Sequence, residues 1–512
     1  MKSTIYNIRL IFVAVLLLGT VGCHDLLDEP PENTFITEGT DYTASQDMIL
    51  PLLGAYAEFY SLGWEAFPLI SVRGDDVNAG GLGDQQAFAD TDRYIYDRGY
   101  WMYNSTWQQF YRDVITMHSA MEEIQLYMEN GASTSLGQQY IAEAQVLRAW
   151  ALFQLSRVWG DIFITETSDP SDLLVTELST KEEVMQHISD QMDQAIPNLP
   201  DMHPNERTDI TGGVTRYTAY AIKALANLEL ENYQAVADAT SEIISSGEFA
   251  LASDYYNLFK IPGKLSDENL LELQYSDFGQ GAGERIGYTY AFFGPQGWTP
   301  KVEGAGSGWG FYEPSLKWIT FMLDRGERKR LETSVLFTNR GIDSLQTVYA
   351  GDVPDWISNT TPSGDIINDY PRALFASGKH YLPSEQLIEG RTSYGSNNNF
   401  RVIRYAEILL MHAEALTMGA TSTVMSADQA VNAVRERAAL TQLSGVTHEQ
   451  VIEEKFAELA MEWGIRYYDM IRLEMYNELE YGGRDFEVPE DIFLPYPQNQ
   501  VDRLPALEQG NN

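Results

Sequence analysis

Residues 404–417 read RYAEILLMHAEALT, and this run sets the class of the whole chain. Ala406, Leu410 and Ala413 fall at helical spacing with no glycine or proline to interrupt them. Ala144, Leu147 and Ala151 repeat the alternation, as do Ala221, Leu225 and Leu228. Small residues recurring beside large ones let helices approach closely in pairs. The spacing between the three units is irregular, so the echo is tetratricopeptide-like without a fixed repeat.

Working outward, further helices carry their own signals. Residues 45–60 place Met48, Leu52 and Ala55 on one face, closed by Tyr56, Phe59 and Tyr60. Residues 137–159 are apolar nearly all round after Val146, the mark of a buried helix. Thr180-x-x-Glu183 is a capping box opening a stripe of Val184, Ile188, Met192 and Ala195. Residues 215–230 and 233–245 form a pair across Glu231-Asn232 and stop at Gly247. Ser426-x-x-Gln429 opens a helix running to Ala439. Thr447-x-x-Gln450 opens another, with Ile452, Phe456, Leu459 and Trp463 on one face.

Between these helices the texture changes. Residues 71–84 (SVRGDDVNAGGLGD) read as a loop. Residues 94–111 hold eight aromatics. Trp107 and those after it lead into a helical run, whereas Trp101, Tyr103 and Asn104 are expected before that helix starts. Residues 278–312 contain ten glycines and nine aromatics with no helical period, an insertion of loops and short strands. A helix resumes over 314–323, residues 333–356 read as strands and turns, and 365–399 is again loop-rich. The expected fold is mainly α: a helical-pair scaffold over 45–260 and 400–475, with a loop-rich, short-strand insertion over about 270–400, all in one domain from 45 to 512.

The first residues point outside the cell. Lys2 and Arg9 precede or open an apolar run at 10–18 (LIFVAVLLL), too short to span a bilayer, followed by Gly19-Thr20-Val21-Gly22. These features define a leader over 1–22, cut before Cys23, the chain's one cysteine. Residues 24–43 are acidic, contain Pro30-Pro31 and lack an apolar period, so 23–44 reads as a tether. With 34 Lys and Arg against 74 Asp and Glu, the net charge is −40, which disfavours nucleic acid and basic-patch binding to anionic lipid. One cysteine allows no internal disulfide, so the fold rests on its core.

No catalytic signature emerges. The seven histidines are scattered without zinc spacing, and Asp76-x-Asn78-x-Gly80 stops short of a calcium loop, so no metal or cofactor is expected. No G-x-S-x-G elbow occurs, and the glycines of 304–310 lack dinucleotide or phosphate-loop spacing. Glu407 and Glu414, seven apart, share a helix face about 10.5 Å apart at 1.5 Å rise per residue. That separation admits a glycosidase-like pair, which would have to share a cleft with aromatic rings. What remains is aromatic rings on glycine-rich loops, suited to packing on the C–H faces of sugar rings while Asn, Arg and Asp bind hydroxyls.

The closing helices carry a family resemblance. Residues 404–416 followed by 434–440 (VRERAAL), and 457–472 (AELAMEWGIRYYDMIR), resemble the signature of the RagB/SusD family of surface nutrient-binding lipoproteins. Residues 137–164, 213–224, 493–497 (FLPYP) and Cys23 followed by 26–30 (LLDEP) fit the same pattern. The resemblance implies four tetratricopeptide-like pairs with a looped subdomain and lipidation at Cys23. It further implies an outward-facing place on the outer membrane and glycan capture for a SusC-like TonB-dependent transporter. Catalysis is not implied. Peptide binding in the same fold, a surface glycoside hydrolase and a pure scaffold are the alternatives. Because family ligand sites sit on variable loops, the expected glycan contacts are Trp298, Trp309 and Tyr312 as platforms. Trp101 and Tyr103 are expected as a second wall, with Asn104, Arg73 and Asp75 as hydrogen-bonding groups.

Overall fold

A computed structural model describes residues 40–80, 84–275, 289–387 and 397–508. The leader, Cys23 and most of the tether lie outside the described residues. About 51% of the described residues are helical, and the strands among them are short. Helix α1 (Ile49–Phe59) packs on α2 (Trp101–Glu129), which pairs with α3 (Thr134–Trp159). Next come α4 (Lys181–Ala195) with α5 (Arg216–Glu229), and α6 (Tyr233–Ser246) with α7 (Tyr405–Thr417). The last pair is α8 (Ala427–Arg437) with α9 (His448–Leu459), followed by α10 (Ile465–Arg472).

Local chemistry sets these boundaries. Thr180, Ser426 and Thr447 each close a reciprocal capping box at the start of α4, α8 and α9. Gly247 ends α6 in the left-handed region at φ 73°. Ala144, Ala151, Ala221, Ala406 and Ala413 are all buried, so the small residues lie at the helix contacts.

The third pair is discontinuous in sequence: residues 247–404 leave the scaffold after α6 and return at α7. Strand Asn269–Leu273 near the insertion's start runs antiparallel to Phe400–Arg404 at its end, which closes its base. Further two-stranded ladders join Val77–Ala79 to Tyr312–Pro314, Trp298–Thr299 to Ile366–Ile367, and Val335–Phe337 to Phe375–Ser377.

Three elements differ from the sequence reading. Helix α2 starts at Trp101, so Trp101–Asn104 form its first turn rather than a preceding loop. Residues Asn339–Val348 are helical, because the Thr338 hydroxyl accepts the Gly341 N–H and caps the first turn. Helix α9 ends at Leu459, and Trp463 lies in the tight turn after it, where Met461, Trp463 and Gly464 take φ of 65°, 48° and 67°.

Insertion and scaffold are joined by buried ion pairs. Arg404 donates to Glu268 at 2.6 Å, to Glu458 at 3.1 Å and to both carboxylate oxygens of Glu462 at 2.7 and 2.8 Å. Arg437 bridges Glu268 and Glu458, Arg330 reaches Glu454 and Glu458, and Lys379 donates to Glu462. Glu414 pairs with Lys455 and Arg472 inside the scaffold, and Glu407 is buried on the same helix. The carboxylate pair considered for glycosidase chemistry is therefore enclosed in helix packing, away from any aromatic cleft.

Burial alone would push the Glu458 carboxyl up, but Arg437, Arg404, Arg330 and Lys379 outweigh it and hold it down at about 2. A carboxyl lowered on folding stabilises the native state above its unfolded pKa of 4.5, and that contribution is lost as pH falls from there toward 2. Urea unfolding between pH 7 and 3 should show this acid limb. Glu458→Gln should flatten it and lower stability at pH 7 by roughly 3–5 kcal/mol, since three arginines lose a counter-charge.

Candidate functional site

The rings that reach solvent together come from three separated segments. Trp101 is 49% exposed at the first residue of α2, and Trp309 is 40% exposed in the glycine-rich insertion. Half-buried Trp64, in the loop after α1, lies between them. Its ring is 5.8 Å from Trp101 at 52° and 5.6 Å from Trp309 at 89°. Buried Phe292 and Phe88 back the group, with Phe292 5.0 Å from Trp64 and Phe88 6.2 Å from Trp101. Such edge-on and tilted contacts are favourable for rings and fix their angles.

Each ring is mounted firmly. Tyr100 donates its hydroxyl to Asp90 at 2.8 Å, tying the start of α2 to helix Gln86–Thr91, which carries Phe88. Glu65, next to Trp64, accepts from the Ser105 hydroxyl of α2. Residues 308–311 lie along 291–295 through Trp309 N–H to Ala291 O at 2.7 Å and Gly310 N–H to Gly294 O at 2.8 Å. A Cβ on Gly308 would stand 2.4 Å from the Gly294 carbonyl, so only glycine permits this approach.

Beside Trp309 opens a cleft of about 330 Å³, floored by Phe292 and Phe311. Its polar rim is Asp84, Gln85, Gln296 and Arg372. The Arg372 guanidinium grips Asp84 through both nitrogens, with Nη1 to Oδ1 at 2.7 Å, and stands 5.5 Å from the centre of the Phe311 ring. Hydrogen bonding to Arg372 holds the Asp84 carboxyl below its usual range, so it is ionised at neutral pH. Apolar platforms with a few convergent polar groups are the composition of a small-ligand site. Among the described residues, no cluster of three or more His, Cys, Asp or Glu could hold a metal ion.

The expected contact residues divide sharply. Trp101 and Trp309 stand in the exposed group. Trp298 is half-buried, is not among the cleft's lining residues, and packs edge-on to Tyr381 at 6.5 Å. Tyr312 is fully buried against Phe293 at 4.6 Å, because the strand that carries it pairs with Val77–Ala79 inside the fold. Tyr103 is buried and bonds Thr91, since it lies on the inward face of α2. Asn104 uses its amide on Gln108 and Gln500. Arg73 is enclosed by Tyr467 and the Ile492 carbonyl, and Asp75 is held by Arg466 at 2.7 and 3.0 Å and by Lys317 at 2.7 Å. Tyr312, Tyr103, Arg73 and Asp75 are therefore core and framework groups that offer nothing to a ligand at this surface.

Sequence reasoning missed Trp64, Gln85, Gln296, Asp84 and Arg372 as site residues. Trp64 follows Gly63 in a short loop, as Trp298 follows Gly297. Arg372 carries no local signal, as its position depends on how residues 365–377 cross the insertion.

Comparison with known proteins places this geometry in context. A model described as the SusD family matches residues 267–512, and one described as "Starch-binding associating with outer membrane" matches 82–228. A "SusD-like protein" of Bacteroides ovatus is 24% identical over 98% of this chain and 97% of its own. "SusD-like protein P2" of Formosa agariphila is 26% identical over 97% of this chain and 98% of its own. Among solved structures, a "Laminarin binding SusD-like protein" superposes with TM-score 0.74 at 21% identity, covering 90% of this chain and 98% of that one. Surface glycan-binding protein A from Bacteroides thetaiotaomicron, in complex with laminarihexaose, gives 0.72 at 22% identity over 89% and 97%. With two SusD-type models matching successive parts of the chain and relatives aligned over nearly its whole length, the chain belongs to the SusD/RagB family.

Proposed function

We propose that this protein captures poly- or oligosaccharide at the cell surface and delivers it to a SusC-like TonB-dependent outer-membrane transporter, without catalysis. The observation that carries the reading is the trio Trp64, Trp101 and Trp309, partly open to solvent on a rigid aromatic base beside a rim of Asp84, Gln85, Gln296 and Arg372. Indole faces pack on the C–H faces of pyranoses, and the rim supplies donors and acceptors for hydroxyls. The names of the relatives, laminarin-binding and glycan-binding, and the starch-binding description of one matching model support the same ligand class. Transport energy would be supplied through the barrel, so the receptor needs no reactive group. Its domain runs from 45 to 512, and Cys23 carries the lipid that holds it on the outer membrane.

Calorimetry with the protein from residue 24 onward against a polysaccharide panel tests the capture step. Trp309→Ala and Trp101→Ala should each weaken binding by about 2 kcal/mol, roughly 30-fold in Kd, with thermal stability nearly unchanged. No heat with any glycan, or shortened products after incubation, would overturn the reading. For the anchor, Cys23→Ala should shift the protein from the membrane pellet to the soluble fraction of the producing cells. Retention in the pellet would show that another element holds it.

A further inference from the structure

We infer that the cleft beside Trp309 selects uncharged glycans and rejects uronate-bearing or sulfated ones, with the Arg372–Asp84 pair as the selecting device. The inference rests on the receptor reading above and names the ligand class of that same site. Among the described residues lining the cleft, Arg372 is the one basic side chain. Sites that take acidic sugars offer an arginine fork to the ligand carboxylate or sulfate. Here that fork is already occupied, since both Nη atoms of Arg372 bind both oxygens of Asp84.

Exposure of the two partners is unequal. The Arg372 side chain is 8% exposed and Asp84 is 55% exposed, so an arriving ligand meets the carboxylate before the guanidinium. A ligand anion would have to displace Asp84 and then sit beside it, a like-charge contact over the aromatic floor of Phe292 and Phe311. Sugar hydroxyls face no such conflict. They donate to the outer lone pairs of Asp84 and exchange bonds with the amides of Gln85 and Gln296. The chain's net charge of −40 adds long-range repulsion of polyanions. Specificity thus comes from a built-in repulsive element as much as from attraction.

The test is calorimetry on the wild type and Asp84→Asn. The probes are neutral oligosaccharides (laminarihexaose and maltohexaose) and anionic ones (hexagalacturonate and a sulfated galactan oligomer). The wild type should bind a neutral probe with a Kd that changes less than twofold between 50 and 300 mM NaCl, and bind the anionic probes at least 30-fold more weakly. Asp84→Asn frees the fork, so the ratio of anionic to neutral affinity should rise at least tenfold and should fall again with added salt. Melting curves of the variant confirm folding. Arg372→Gln is the complementary variant: it leaves Asp84 unpaired and should lower anionic affinity further. Equal wild-type affinity for neutral and anionic probes, or an unchanged ratio in Asp84→Asn, overturns this inference while leaving the receptor reading intact. Silence with every probe overturns both.

Discussion

Arg404 stands where the inserted region rejoins the helical scaffold, and its ion pairs are the contact on which the arrangement turns. It holds Glu268 from the insertion's start and Glu458 and Glu462 from α9 and the turn beyond it. Burying this many charges is expensive, and the network is favourable only as a whole, with each carboxylate met by more than one cation. Arg437 and Arg330 share Glu458 with Arg404, while Lys379 shares Glu462. Removing one member leaves its buried partners short of counter-charge, so the network ties together two parts distant in sequence.

The same junction holds a strained turn. Met461 and Trp463 have positive φ, which a residue with a Cβ adopts only when its surroundings over-determine it. Here Asp76 accepts the Met461 N–H at 2.6 Å, the Trp463 indole donates to the Arg401 carbonyl at 2.7 Å, and Glu462 between them is locked to Arg404. From Trp463 a continuous run of ring contacts leads to the surface. Trp150 of α3 lies 5.5 Å from Trp463, which lies 5.1 Å from Phe67. Phe67 then meets Phe293 at 5.4 Å, Phe293 meets Phe292 at 5.2 Å, and Phe292 meets Trp64 at 5.0 Å. The exposed rings are therefore the outer end of the core. A platform fixed in this way loses little conformational freedom when a ligand settles on it.

Much of the scaffold was readable because its signals are local. Capping boxes at Thr180, Ser426 and Thr447 and the small-beside-large spacing of Ala406, Leu410 and Ala413 act within one or two helical turns. The site was harder. Of the residues expected in the two loop regions, around 71–104 and 278–312, the exposed aromatic group contains Trp101 and Trp309. The sequence could not separate Trp309 from Tyr312, three residues apart in one aromatic stretch, because exposure is set by the partner strand Val77–Ala79. Arg73 and Asp75 looked like loop groups available to a ligand. Their partners Tyr467 and Arg466 lie nearly 400 residues away and appear beside them only in the folded chain.

By itself the sequence determined a mainly helical, paired scaffold interrupted by a glycine- and aromatic-rich insertion, and the family resemblance. Each rests on periodicity, caps or contiguous motifs that need no long-range contact. Tertiary structure alone decided that the insertion splits the third helix pair, that Trp64 completes the aromatic group, and that Arg372 meets Asp84 at the cleft. Those are pairings between residues far apart along the chain, and chain separation carries no information about them until the buried charges at Arg404 fix how the two parts meet.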